Sequence, residues 1–203
     1  GDAFYNSGVI EFTIPDSVTT VASYAFYQCE SLESVVIGSG VESIGDNAFT
    51  GCLKLNEVYN LSSLTIEKGS TENGKAGYYA KVIHTSLSEP SCYQTVGDYK
   101  FLITEDGNYL VAYLGNSTSL VLPSSFEYNG QTITNYDLAA RLFYDNDDIL
   151  SITIPDSVKA IGEEAFYSCD RLANVSLGNS IETIGPKAFA YCNRIYKLVL
   201  GQN

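Results

Sequence analysis

The sequence has no methionine, no tryptophan, a single histidine and only 11 lysines and arginines in 203 residues. Each shortage excludes something. Without an initiator methionine, Gly1 reads as the residue left by a cleaved tag on a chain whose N-terminal segment has been removed; a secretion signal is expected in that segment. Against the few bases stand 24 acids, for a formal charge of −13. A nucleic-acid binder needs a basic footprint and a polybasic membrane contact needs clustered cations, so both classes drop out. No apolar run reaches the roughly 18 residues of a membrane-crossing helix. Five cysteines are far too sparse for a small disulfide scaffold. A Ser–His–Asp or Cys–His arrangement has only His84 to use, no second histidine can help bind a metal, and no G-x-S-x-G turn occurs.

What is present is an internal repeat. IPDSVTTVASYAFYQCESL starts at Ile14 and IPDSVKAIGEEAFYSCDRL at Ile154, with looser copies from Ile37 and Leu177. The period is 23: Phe26 to Phe49, Phe143 to Phe166 to Phe189, Cys29 to Cys52, and Cys169 to Cys192. The first part of the unit, as in Val35–Ile37 or Ile152–Ile154, alternates with period 2 and is β-branched, so it reads as a short strand. Pro15 and Pro155, followed by Asp-Ser, supply a turn. The later part changes period. Ile161, Ala165, Phe166, Cys169 and Leu172 fall on one side of a helical turn or two, with Gly45, Gly162 and Gly185 as N-caps and Pro186 at a first helical position. Ala22 and Ala139 replace that glycine in two copies, which argues against a strict positive-φ requirement there. One strand and one short helix cannot bury a core alone, whereas stacked coils seal each other's faces.

The motif IPDSV…IG..AF..C..L resembles the BspA-like class of bacterial leucine-rich repeats, over 9–60 and 149–203 and weakly over 119–148. The resemblance implies a leucine-rich-repeat solenoid of short parallel strands and short helical turns, with a parallel sheet on its concave face. It also implies an exported surface protein that binds rather than catalyses. The expected layout is one domain, 1–203, with regular repeats at 9–60 and 149–203, an irregular insertion at 61–118 and a degenerate repeat at 119–148. Within the insertion, Ala76–Ile83 reads as a variant short helix with Tyr78, Tyr79 and Val82 inward, and Ser86–Thr95 as a loop. Tyr99–Leu114 reads as a β-hairpin around Asp106-Gly107, and Asn129-Gly130 marks a second turn.

The cysteines at the repeat position read as small buried free thiols bonded to local backbone, with Asn146 taking the same place in one copy. Cys92 lies off the repeat, as a stray exposed thiol, and His84 reads as an ordinary residue at the end of a short element. The acidic run Asp145–Asp148 lacks the glycine and distal glutamate of a calcium loop. No catalytic residue, metal ligand or cofactor is therefore expected. The binding surface expected for such a solenoid is the outward side of its strands: Glu11, Thr13, Ser34, Val36, Glu57, Tyr59, Ser151, Thr153, Asn174 and Ser176, continued by Ser119, Val121, Lys197 and Val199. The tyrosines of the insertion, Tyr78, Tyr79, Tyr93, Tyr99, Tyr109 and Tyr113, are a second candidate surface. The expected function is an adhesion-type module, extracellular or on the cell surface, binding a protein or glycan ligand of a host or bacterial surface. A structural spacer in a larger envelope protein is the alternative, and a hydrolase the least supported class.

Overall fold

The computed structural model describes residues 1–199 and divides into two compact units, Gly1–Cys92 and Tyr93–Asn203. The division falls inside the segment expected to be irregular.

The first unit carries β1 (Glu11–Ile14), β2 (Thr20–Val21), β3 (Ser34–Ile37), β4 (Ser43–Ile44), β5 (Glu57–Asn60) and β6 (Val82–His84). Strands β1, β3, β5 and β6 form one parallel sheet, in register Phe12–Val35–Val58–Ile83 and Thr13–Val36–Tyr59–His84. The step is 23 residues between the first three strands and 25 from β5 to β6, so the fourth strand escapes a search for the period. It also replaces the helix expected over Ala76–Ile83. That segment buries Ala76 and Ala80, leaves Tyr78 exposed, and follows a single 3-10 turn at Asn73–Lys75.

The second unit begins with β7 (Tyr93–Val96), β8 (Tyr99–Thr104) and β9 (Gly107–Tyr113), an antiparallel meander in which Glu105-Asp106 makes the tight turn. The hairpin is as expected, but its turn falls one residue early, with Gly107 paired to Thr104 at the start of β9; strand β7 occupies a stretch whose composition reads as loop. Next come β10 (Ser119–Val121), the hairpin β11 (Phe126–Tyr128) and β12 (Gln131–Ile133), and β13 (Tyr136–Leu138). The hairpin's turn places Asn129 and Gly130 both at positive φ, as that pair favours. Last are β14 (Ser151–Thr153), β15 (Val158–Ile161), β16 (Asn174–Ser176), β17 (Thr183–Ile184) and β18 (Lys197–Val199). Strands β10, β14, β16 and β18 form a parallel sheet, while β9, β13, β15 and β17 line a second side of the coils.

The solenoid is as expected, but the helical turns are not helices. Residues two before and two after each ladder phenylalanine adopt left-handed φ: Tyr24 and Gln28, Asn47 and Gly51, Arg141 and Asp145, Glu164 and Ser168, Lys187 and Tyr191. A left-handed residue every fourth position stops an α-helix. Hydrogen bonding shows what replaces it. The N–H groups of Ala25, Tyr27 and Cys29 bond three residues back, while those of Tyr24, Phe26 and Gln28 donate to Asp46, Ala48 and Thr50 of the next coil. Arg141, Phe143 and Asp145 repeat this against Glu163, Ala165 and Tyr167. The turns thus belong to the same inter-coil ladder as the strands.

Side chains stack on that ladder. Phe4, Phe26 and Phe49 pile with centroids 4.9 and 5.0 Å apart, and Phe143, Phe166 and Phe189 at 5.2 and 4.9 Å. Each repeat cysteine is free and donates to a carbonyl of the preceding coil: Cys29 to Phe4, Cys52 to Phe26, Cys169 to Phe143 and Cys192 to Phe166. Gly45, Gly162 and Gly185 are not at positive φ. An added Cβ there would meet backbone nitrogens of the preceding coil at 2.4, 2.5 and 2.6 Å, so close approach of coils, rather than dihedral freedom, excludes a side chain.

Candidate functional site

The outward side of each parallel sheet carries the residues expected to form the binding surface. In the first unit this side closes progressively. Glu11 and Thr13 on β1 are exposed, Ser34 and Val36 on β3 are half-buried, and Glu57 and Tyr59 on β5 are only 1% and 8% exposed. Segment 85–92 returns over β5 and β6 and takes the space a ligand would need. Glu57 Oε2 accepts from the Ser91 hydroxyl at 2.8 Å, and Oε1 from the Cys92 N–H at 2.5 Å. Glu57 and Tyr59 therefore leave the set of residues able to present themselves to a partner.

Beneath the cover sits His84, 3% exposed, its ring stacked on Tyr59 at 4.2 Å. Its Nε2 lies 3.3 Å from Glu57 Oε1 and its Nδ1 3.3 Å from Glu89 Oε2, so both ring nitrogens face carboxylates. Glu89 is fixed in turn by the Thr85 and Ser86 N–H groups at 2.8 and 3.0 Å. The Thr85 N–H, with help from His84, holds the Glu89 carboxyl below its usual range. Burial, and then the Glu57 charge, push the Cys92 thiol up, and the same two causes raise the Tyr59 phenol. Cys92 is half-buried here rather than a stray surface thiol, and His84 is tied into a network.

In the second unit the outward side stays open. Thr153 is exposed, Ser151, Asn174 and Ser176 are half-buried, and Val121 is 70% exposed. Ser119 and Ser151 share a hydrogen bond, and Asn174 Nδ2 donates to Tyr196 Oη at 3.1 Å. At the strands' N-terminal ends lies an open groove of about 640 Å³, lined by Ser119, Ser151, Asn174 and Tyr196 together with Arg171 and Arg194. The two arginines are 23 residues apart, on the same step of successive coils. Both are exposed, and neither has an ion-pair partner among the described residues. Sequence reasoning took the strand residues and missed the arginines, although their spacing by one period was a signal for neighbouring side chains.

The tyrosines of the insertion do not form one outward patch. Tyr99 and Tyr113 pack against the core of the second unit, and Tyr93 lies under the Lys100 ammonium at 4.3 Å. The acidic run is also accounted for locally. Asn146 Oδ1 accepts the Asp148 and Ile149 N–H groups, and Asp147 accepts the Asp170 N–H of the next coil.

The family model for the BspA type leucine rich repeat region matches residues 1–104 and 136–203, in six copies. The chain belongs to the BspA-type leucine-rich repeat family. No curated protein matches it. Solved structures similar to it include a leucine-rich repeat protein from Bacteroides capillosus ATCC 29799, 26% identical, covering 55% of this chain and 100% of that one at a TM-score of 0.45. A leucine rich cell surface protein from Faecalibacterium prausnitzii A2-165 is 16% identical over 100% of this chain and 82% of its own, at a TM-score of 0.38. The pneumococcal vaccine antigen PcpA is 16% identical over 96% of this chain and 62% of its own, at 0.47.

Proposed function

We propose that this chain is an exported, cell-surface binding module that takes a protein or glycan ligand on the outward side of β10, β14, β16 and β18. The observation that carries the reading is the groove beside Ser119, Ser151 and Asn174, where Arg171 and Arg194 stand without an ion-pair partner among the described residues, on a chain of net charge −13. Two adjacent guanidinium groups flanked by hydroxyl, amide and phenol groups suit a carboxylate, whether of an acidic side chain or an acidic sugar. The family's repeat architecture supports a binding role and a surface setting. The test is a glycan array pairing carboxylated with neutral sugars, run beside a capture experiment on host and bacterial surface proteins. The doubly substituted Arg171→Ala, Arg194→Ala chain is the control. Binding of an acidic ligand that the double variant loses supports the reading; binding that the variant retains overturns it.

A further inference from the structure

The covered side of the first unit brings together three metal-ligating groups that no sequence spacing announces. Glu57 comes from β5, His84 from the end of β6 and Cys92 from the end of the covering segment. One ligand atom from each, a carboxylate oxygen, a ring nitrogen and the Sγ, lies within 4.8 Å of the other two. Zinc bonds of about 2.0–2.3 Å in a tetrahedron place neighbouring ligand atoms roughly 3.3–3.8 Å apart. The Glu57–His84 separation of 3.3 Å already meets that figure, and Cys92 has at most about an ångström to close.

The surroundings fit as well. A histidine ligand ordinarily gives its other ring N–H to a carboxylate, which fixes the tautomer and aims the lone pair. Here Glu89 Oε2 stands 3.3 Å from Nδ1, and Thr85 and Ser86 hold that carboxylate in place. A proton kept on Nδ1 leaves the Nε2 lone pair directed at Glu57, a repulsive contact in a buried place unless a cation lies between them. Tyr59 stacked on the imidazole restricts its rotation. A Glu57 carboxylate and a Cys92 thiolate together neutralise a divalent ion, as a buried site requires. Nitrogen, thiolate and carboxylate in one set select zinc over the hard ions calcium and magnesium.

We infer that Glu57, His84 and Cys92 bind a Zn²⁺ ion, with Glu89 as the positioning residue on His84 and a fourth coordination place left to water. Binding exchanges the Cys92 thiol proton to solvent as the Zn–S bond forms, with no change of oxidation state. The ion pins segment 85–92 across β5 and β6, so the outward side of these two strands is closed by a metal clasp. A rival arrangement, an imidazolium held between Glu57 and Glu89, uses the same carboxylates but has no need of Cys92.

The test uses the full chain, reduced and stripped with a chelator, then titrated calorimetrically with Zn²⁺ alone and spectroscopically with Co²⁺. One equivalent of zinc binds, cobalt develops a thiolate charge-transfer band, and zinc protects Cys92 from alkylation. Cys92→Ser removes the band and weakens zinc by on the order of 100-fold, and Glu89→Gln weakens it by roughly 10-fold with the band retained. Cys92→Ser keeps the backbone N–H that Glu57 accepts, so the variant isolates the ligand from the fold. Its circular dichroism and melting profile confirm that, and the result does not depend on whether His84→Gln folds. Absence of stoichiometric zinc overturns the inference. So does an affinity that Cys92→Ser leaves unchanged, the behaviour of an ion held by surface carboxylates alone.

Discussion

The two parallel sheets use the same strand in the same register, yet β5 and β6 carry their outward side chains beneath segment 85–92, while β14 and β16 leave theirs to solvent. Core-facing positions do not distinguish them: Val35 and Val58 are as buried as Ile152 and Val175. The difference arises in the chain beyond the third strand. After β5 the chain departs from the 23-residue step, lays down β6 at a step of 25 and folds back over the sheet. After β16 it keeps the step and lays down β18. A repeat specifies its core; departure from the repeat specifies which outward surface remains available.

The largest effects should be the ones the two units share. Phe49→Ala and Phe166→Ala each remove a ring from a phenylalanine stack and should each cost about 3–5 kcal/mol, read from denaturant midpoints. An unchanged midpoint for either breaks the ladder assignment in that unit. The next test separates the units. Tyr59→Ala, at a covered position, should cost about 3 kcal/mol. Thr153→Ala, on the open outward side, should stay within about 0.5 kcal/mol. Equal costs would mean that segment 85–92 does not cover β5 in solution. Gly45→Ala and Gly162→Ala should each cost roughly 1–3 kcal/mol by pushing coils apart, with similar losses of melting temperature in both units.

The smallest effect concerns Asp16, whose Oδ1 accepts the Ser39 N–H at 2.7 Å. That bond holds its carboxyl below the usual value, so the contribution to stability is present above the ordinary carboxylate range and lost as the pH falls through the folded-state value. Asp16→Asn should therefore differ slightly from the parent at neutral pH and converge with it in acid. Asp156 makes the matching bond to the Asn179 N–H at 2.6 Å. A gap that widens in acid would reverse the assigned role.

The inward ladder was legible because phenylalanine, cysteine and branched aliphatic residues recur at 23, and burial tolerates few substitutes there. The turn conformation was not. Its left-handed positions hold Tyr24, Asn47, Arg141, Glu164 and Lys187, a set with no shared chemistry, because the inter-coil hydrogen bonds impose the dihedral whatever the side chain. Arg141, Glu164 and Lys187 even form a charged ladder there, with Arg141 Nη2 2.8 Å and Lys187 Nζ 3.5 Å from Glu164. Among outward residues, Ser151, Asn174 and the arginine pair adhere to the period. Glu57 and Tyr59 lost their exposure to a segment without one. No spacing relates Glu57 to His84 and Cys92, since they meet only through the step of 25 and the chain reversal after it.

The alternating pattern in the turns gives each coil two kinds of clock. Amides such as Ala25, Tyr27 and Ala165, bonded three residues back, exchange with solvent when their own turn frays. Amides such as Phe26, Phe143 and Phe166 exchange only when one coil parts from the next. Neighbouring residues along a single turn therefore time two separate events, and a ligand or ion that clamps coils together should slow one set of amides while leaving the other nearly untouched.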